Sequence, residues 1–220
     1  MATVIIFPGL SSPFHERYIP VYDLLRQGAQ TRNISIEILT YPGQSGFQNG
    51  KDVTINPRSI VNYCRDYLND FEQKGESYHV IGLSFGSCVS LRVCSELAND
   101  SNCQSITIWG MVPHWKNWEL FWDSSTVGIG LGSKVDTELY YKELIPIEYL
   151  VNKVDIPLAM GVGAMDKFSD VNFVNYLKHI YQKDNLRYCE CINDCNHNVS
   201  ANDIGHDEYS SFIFRLAEEL

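Results

Sequence analysis

Tyr78-His79-Val80-Ile81-Gly82-Leu83-Ser84-Phe85-Gly86-Ser87-Cys88-Val89-Ser90-Leu91-Arg92-Val93-Cys94 reads as a strand, a tight turn and a helix. Its Gly82-Leu83-Ser84-Phe85-Gly86 core fits G-x-S-x-G, the nucleophile elbow, in which a serine projects from a sharp turn at the carboxyl edge of a sheet. Gly82 and Gly86 suit such a turn, because a Cβ two residues either side of Ser84 would collide as the strand folds back onto the helix. The helix then starts its backbone N–H groups beneath Ser84, which sets partial positive charge where an oxyanion would develop. The apolar strand before the motif and the amphipathic stretch after it supply the context that a short pattern needs.

Outward from the elbow, strands and helices alternate. Residues 3–7 form the continuous apolar run of a central parallel strand, followed by the loop Pro8-Gly9-Leu10-Ser11-Ser12-Pro13. Residues 18–29 read as a helix with Pro20 near its start, and 34–40 as a second strand closed by Pro42 and Gly43. Asn56 makes an N-cap with Pro57 at the first helical position; Ile60, Cys64, Tyr67, Leu68 and Phe71 give that helix a buried face, and Gly75 ends it. Further strands are expected at 105–109, 156–162 and 186–191. Val171, Val174, Leu177 and Ile180 lie on one helical face, and Tyr209, Phe212, Ile213, Leu216 and Leu220 on another. The pattern predicts an α/β domain, a mostly parallel twisted sheet of about six strands with helices on both faces.

At 220 residues and 45% hydrophobic content, the chain is read as a single domain, 1–220. A net charge of −10 argues against nucleic acid and anionic membrane surfaces as partners. The N-terminal residues lack a basic signal-peptide region and no apolar run reaches membrane-spanning length, so a cytoplasmic protein without a membrane span is expected. Seven cysteines, an odd number, are read as reduced thiols. Cys189 and Cys191 share one face of a strand, but no second paired cluster accompanies them, and neither a metal nor a cofactor is expected.

Residues 112–153 break the alternation: about forty residues without an expected strand, far longer than a usual connection. Trp115, Trp118, Phe121 and Trp122 form an aromatic stripe at helical spacing, Gly128-Ile129-Gly130-Leu131-Gly132 follows, and 137–150 reads as helical with a break at Pro146. A packed subdomain is one reading. The other, adopted here, is a lid or cap insertion, because a segment rooted at the carboxyl end of a strand overlies the place where open parallel sheets bind ligands. Trp115, Trp118 and Trp122 are then substrate-contacting candidates.

Two further strands end in chemistry. The run 156–163 leads into a turn bearing Asp166, and 188–192 into a loop bearing His197. Ser84, Asp166 and His197 thus occur in the order Ser, Asp, His, each just beyond a strand's carboxyl end. Serine alone is a poor nucleophile; a histidine must take its proton and an acid must orient and stabilise that imidazole.

With Gly82-Leu83-Ser84-Phe85-Gly86, Gly163-Ala164-Met165-Asp166, Asn196-His197, Phe7-Pro8-Gly9-Leu10 and Tyr41-Pro42-Gly43-Gln44-Ser45-Gly46 in this order, the chain resembles the α/β-hydrolase family over nearly its whole length, as a small member without the two antiparallel strands that often open the fold. The resemblance implies Ser84 as nucleophile, His197 as general base and acid, Asp166 as its orienter, and the backbone N–H groups of Leu10 and Phe85 as the oxyanion hole. Phe7-Pro8 stands where the family commonly has a His-Gly loop, a form that looks like certain of its thioesterases. His206 and Asp170 are the alternatives for base and acid; His15 and His114, in loops near the expected site, are either substrate contacts or, the preferred reading, surface residues. The implied activity is hydrolysis of a small-molecule carboxylic ester with an apolar acyl group. Thioesterase or acyl-transfer activity, or a hydrolase-like protein that binds a ligand without turnover, are the alternatives.

Overall fold

Alternate residues of the strands supply the two layers of the core, as a period of two requires of a sheet covered on both faces. The computed structural model describes residues 2–10, 16, 18–42, 44, 53–97, 100–111, 133–135, 142–144, 147–169, 171–181 and 183–220. Strands β1 (Thr3–Phe7), β2 (Ser35–Ile38), β4 (Tyr78–Leu83), β5 (Cys103–Trp109), β7 (Leu158–Gly163) and β8 (Leu186–Ile192) form one sheet in the order β2-β1-β4-β5-β7-β8, every neighbouring pair parallel. From it, Ile5, Phe7, Val80, Ile106, Ile108 and Met160 enter one cluster, packed by helices α2 (Pro57–Lys74), α3 (Phe85–Cys94), α4 (Ile147–Lys153) and α5 (Val171–Ile180). Val4, Ile6, Ile81, Leu83, Trp109 and Ala159 enter the other, beneath α1 (Ile19–Thr31) and α6 (His206–Glu219).

The helix boundaries follow from their end residues. The Asn56 side chain accepts the Ser59 N–H at 3.1 Å, Pro57 occupies the first position where no intrahelical donor is needed, and Gly75 closes α2 at φ 67°. β2 is shorter than the expected 34–40: among the described residues it pairs on one side alone, with β1, and that register ends at Ile6 opposite Ile38. The expected strands at 105–109 and 156–162 become Cys103–Trp109 and Leu158–Gly163.

One expectation for 112–153 is corrected. The segment does contain a strand, β6 (Ser133–Val135), paired in parallel with β3 (Val53–Ile55) in a second, two-stranded sheet. Its final helix is α4, whose Ile147, Leu150 and Val151 are buried in the core with Leu144. At the C-terminus, Leu220 is 61% exposed, whereas Phe214 is buried with an Arg32 guanidinium over its ring. The apolar face of α6 is thus wider than its periodicity indicated, because α1 packs beside it. Among the described residues, no helix is long and apolar enough to cross a membrane.

Candidate active site

Ser84 sits at φ 55° and ψ −118°, a sparsely populated conformation for a residue with a Cβ, which costs on the order of 1–3 kcal/mol and persists where surrounding contacts over-determine it. Those contacts come from β4, β5 and α3. The Ser84 N–H donates to the Trp109 carbonyl at 2.8 Å, and the buried Ser87 hydroxyl reaches the carbonyls of Gly82 (2.8 Å) and Trp109 (2.9 Å). A Cβ on Gly82 would lie 2.7 Å from the Gly86 carbonyl oxygen and the Ser87 Cα, which is the strand-to-helix collision foreseen from the motif. Gly86 answers to a different neighbour: its Cβ would lie 2.0 Å from the Phe7 carbonyl oxygen, so this glycine lets α3 start against the end of β1.

Asp166 and His197 reach Ser84 from the ends of β7 and β8. A tight turn after β7, closed by the Asp166 N–H on the Gly163 carbonyl at 3.0 Å, carries the Asp166 carboxylate. After β8 the chain reverses through Asp194 (φ 56°), and the Met165 N–H on the Cys195 carbonyl (3.0 Å) ties the two loops together. The Trp109 indole N–H then holds the His197 carbonyl at 3.1 Å, and the Phe168 ring meets the imidazole edge-on at 5.2 Å. The result is a continuous chain: His197 Nε2 lies 2.7 Å from Ser84 Oγ, and His197 Nδ1 lies 2.8 Å from Asp166 Oδ2.

The electrostatics fix the proton positions. Burial raises the affinity of Asp166 for a proton, but the His197 charge and hydrogen bond, with the N–H groups of Ser169 (3.0 Å) and Phe168 (2.8 Å) on Oδ1, together hold its carboxyl below the usual aspartate range. An ionised carboxylate only accepts, so Nδ1 carries a proton; in the neutral imidazole that leaves the Nε2 lone pair for the Ser84 hydroxyl. The Asp166 side chain is 0% exposed and that of His197 10%, so the pair works out of bulk water, where its interactions are strongest.

On the other side of Ser84 lies the loop after β1. A Cβ on Gly9 would stand 3.5 Å from the Ser84 Cβ, and Leu10 is buried. Phe85, the second expected oxyanion residue, is the first residue of α3 and fully buried, its ring edge-on to Tyr41 at 6.1 Å.

The structure therefore brings together Ser84, Asp166, His197, Phe85 and the Gly9-Leu10 loop. It does not bring His206 there: this residue opens α6, with Nδ1 2.8 Å from the Asp203 carbonyl and Nε2 3.3 Å from Asp207. Asp170, His15, His114, Trp115, Trp118, Phe121 and Trp122 lie outside the described residues. Cys189 points its thiol at the Val174 carbonyl (3.8 Å) and Cys191 is exposed. Among the described residues, no three His, Cys, Asp or Glu side chains are grouped to hold a metal.

Three residues at the site were given no role in the motif reading, although Gln44 lies within the run 41–46 quoted there. Gly110 has φ 59°, and a Cβ there would lie 3.1 Å from His197 Nδ1 and 3.4 Å from Asp166 Oδ2; a glycine directly after an apolar strand was the available signal. Ser169 is buried, with its hydroxyl 3.4 Å from His197 Nδ1. Gln44 is buried against the Gly9-Leu10 loop, and nothing in its sequence context marks it as interior.

No protein-family model matches the chain, and no curated protein sequence does either. Solved structures do. The esterase domain of a Rhodothermus marinus protein superposes with a TM-score of 0.69 at 13% identity, covering 99% of this chain and 87% of that one. A monoacylglycerol lipase from Paleococcus ferrophilus gives 0.69 at 11% identity over 98% of this chain and 94% of its own. An α/β-hydrolase enzyme from a Mar Chica lagoon sediment metagenome gives 0.65 at 17% identity, with 99% and 91% covered. Six parallel strands with helices on both faces, a serine at the elbow after β4 and full-length superposition on these structures establish that the chain has the α/β-hydrolase fold.

Proposed function

We propose that the chain is a serine hydrolase that cleaves carboxylic esters with apolar acyl groups through an acyl-enzyme intermediate. The observation that carries this reading is the unbroken hydrogen-bonded chain from Ser84 Oγ through His197 to Asp166. Ser84 Oγ attacks the acyl carbon as its proton passes to His197 Nε2, and Asp166 stabilises the imidazolium so formed. The tetrahedral oxyanion is met by the N–H groups of Leu10 and Phe85, each such donor being worth roughly 10²–10³ in kcat. Collapse expels the alcohol, whose oxygen takes the proton from Nε2. Water then gives a proton to Nε2 and its oxygen to the acyl carbon; the carboxylic acid departs as Ser84 Oγ recovers that proton.

An apolar acyl preference is supported by the sequence of 112–153, which we assign as the cover of the site up to Leu144, with Trp115, Trp118 and Trp122 as acyl-contacting residues. The esterase and lipase names of the structural neighbours favour the ester class. A p-nitrophenyl ester series and the matching acyl thioesters test the reading. The expected result is higher kcat/KM on the esters, a loss of at least about 10³-fold in Ser84→Ala, and a progressive loss with acyl length in Trp118→Ala and Trp122→Ala, since each buried methylene contributes about 0.8 kcal/mol. Higher kcat/KM on the thioesters would make the chain a thioesterase. Equal loss on every length would make the tryptophans packing residues.

A further inference from the structure

Gln44 is 0% exposed, and a buried amide is costly unless its groups are paired. Its Oε1 accepts the Tyr41 N–H at 2.8 Å, and its Nε2 donates to the carbonyls of Gly9 and Leu10, both at 2.9 Å. The pattern admits one orientation, because the flipped amide would set Oε1 against two carbonyl oxygens and Nε2 against an N–H. Both amide protons of a side chain that follows β2 thus hold two consecutive carbonyls of the loop that follows β1, and that loop lies against Ser84.

The Gly9 carbonyl and the Leu10 N–H belong to one planar peptide group, and in a trans peptide they point in opposite directions. A bond that fixes the Gly9 oxygen therefore fixes the direction of the Leu10 N–H, and by polarising the peptide it makes that N–H a stronger donor. The second bond, on the Leu10 carbonyl, fixes the next peptide plane, so rotation about Leu10 is restrained from both ends. We propose that Gln44 is a positioning residue that presets the Leu10 N–H as an oxyanion donor through its hydrogen bonds to the Gly9 and Leu10 carbonyls. This rests on the acyl-enzyme reading above, in which Leu10 is such a donor.

Gln44→Met keeps the side chain's length and apolar volume while removing the bonds to Tyr41, Gly9 and Leu10. With p-nitrophenyl acetate as substrate, kcat should fall by about 10-fold to 100-fold, part of the value of one oxyanion donor, with KM nearly unchanged. Inhibition by phenylboronic acid, which forms a tetrahedral adduct on the nucleophile, should weaken by the same factor, while inhibition by acetate, which mimics the product, should not. Gln44→Glu restores an acceptor for Tyr41 but sets a carboxylate against both loop carbonyls, so it should be at least as impaired; recovery of activity in this variant would overturn the proposal. So would a lowered melting temperature with unchanged kcat and boronate inhibition, which would make Gln44 a staple of the fold and nothing more. If neither variant folds, a crystal structure of the wild-type boronate complex decides: the Leu10 N–H on a boronate oxygen with both loop carbonyls still on the Gln44 amide supports the proposal, and a rearranged loop overturns it. A boronate that fails to bond Ser84 in the wild-type protein would instead sink the acyl-enzyme reading itself, and the role of Gln44 with it.

Discussion

On the histidine side of Ser84, main-chain bonds at the ends of β5, β7 and β8 do most of the holding (Ser84 on Trp109, Asp166 on Gly163 and Met165 on Cys195), joined by the side-chain indole N–H of Trp109 on the His197 carbonyl. On the oxyanion side, the Gly9-Leu10 loop is held by side chains: Gln44, from a turn that follows a different strand, on the Gly9 and Leu10 carbonyls, and Tyr22 of α1 on the Gly9 backbone. The contrast separates two ways of building a site. Where strand ends converge, the sheet itself places the chemistry; where a loop must be aimed, buried side chains do it.

The largest expected effect lies on the histidine side. His197→Ala should lower kcat/KM by about 10⁴-fold or more, because the remaining groups retain the catalysis of binding and the oxyanion hole alone. His206→Ala, at the start of α6, should leave activity within about twofold, and the reverse outcome in steady-state kinetics would move the base to His206 and break the comparison. Asp166→Asn comes next, with an expected loss of about 10³–10⁴ from the wrong imidazole tautomer. It also carries a pH signature. Burial raises the Asp166 carboxyl but His197 and two backbone N–H groups outweigh it, so the ionised form is favoured in the folded protein. Its stabilisation is therefore present above the ordinary aspartate value, about 3.9, and is lost as pH falls through the lower folded value. Urea unfolding of wild type and Asp166→Asn should show a stability difference at pH 7 that shrinks below about pH 4; an equal difference at pH 3 would contradict the pairing.

Gly110→Ala should have the smallest effect of the changes around the imidazole and sharpens the comparison most finely. A left-handed φ of 59° costs an L-residue roughly 1–2 kcal/mol, and the new methyl would press on His197 and the Asp166 carboxylate, 3.1 and 3.4 Å away. We expect a melting temperature lower by several degrees and a kcat lower by about 10-fold with KM nearly unchanged. Unchanged kcat in a folded variant would mean that the imidazole is not held from below by the end of β5.

The same contrast explains what could be read from the sequence. Strand ends announce themselves: the strands that stop at Leu83, Gly163 and Ile192, with Ser84, Asp166 and His197 beyond them in hydrolase order, were legible because a buried parallel strand has a compositional signature and a Ser, Asp, His succession has a chemical one. Asn56-Pro57 and Gly75 were legible because helix ends demand those residues. Gln44 was not, since burial of one polar side chain against a distant loop is a tertiary fact with no local pattern. Ser169 escaped for the same reason. The strand β6 escaped because three residues paired with an equally short β3 are below the length at which alternation can be recognised. The width of α6's buried face, extended to Phe214 by α1, depends on a neighbour that periodicity does not see.

Labelling with a fluorophosphonate, followed by peptide mapping by mass spectrometry, tests most directly whether Ser84 is an activated nucleophile. The expected result is a single adduct on Ser84 in the folded wild-type protein, absent in Ser84→Ala and formed far more slowly in His197→Ala. A folded wild-type protein that carries no adduct at Ser84, or one that labels at an equal rate without His197, would contradict it.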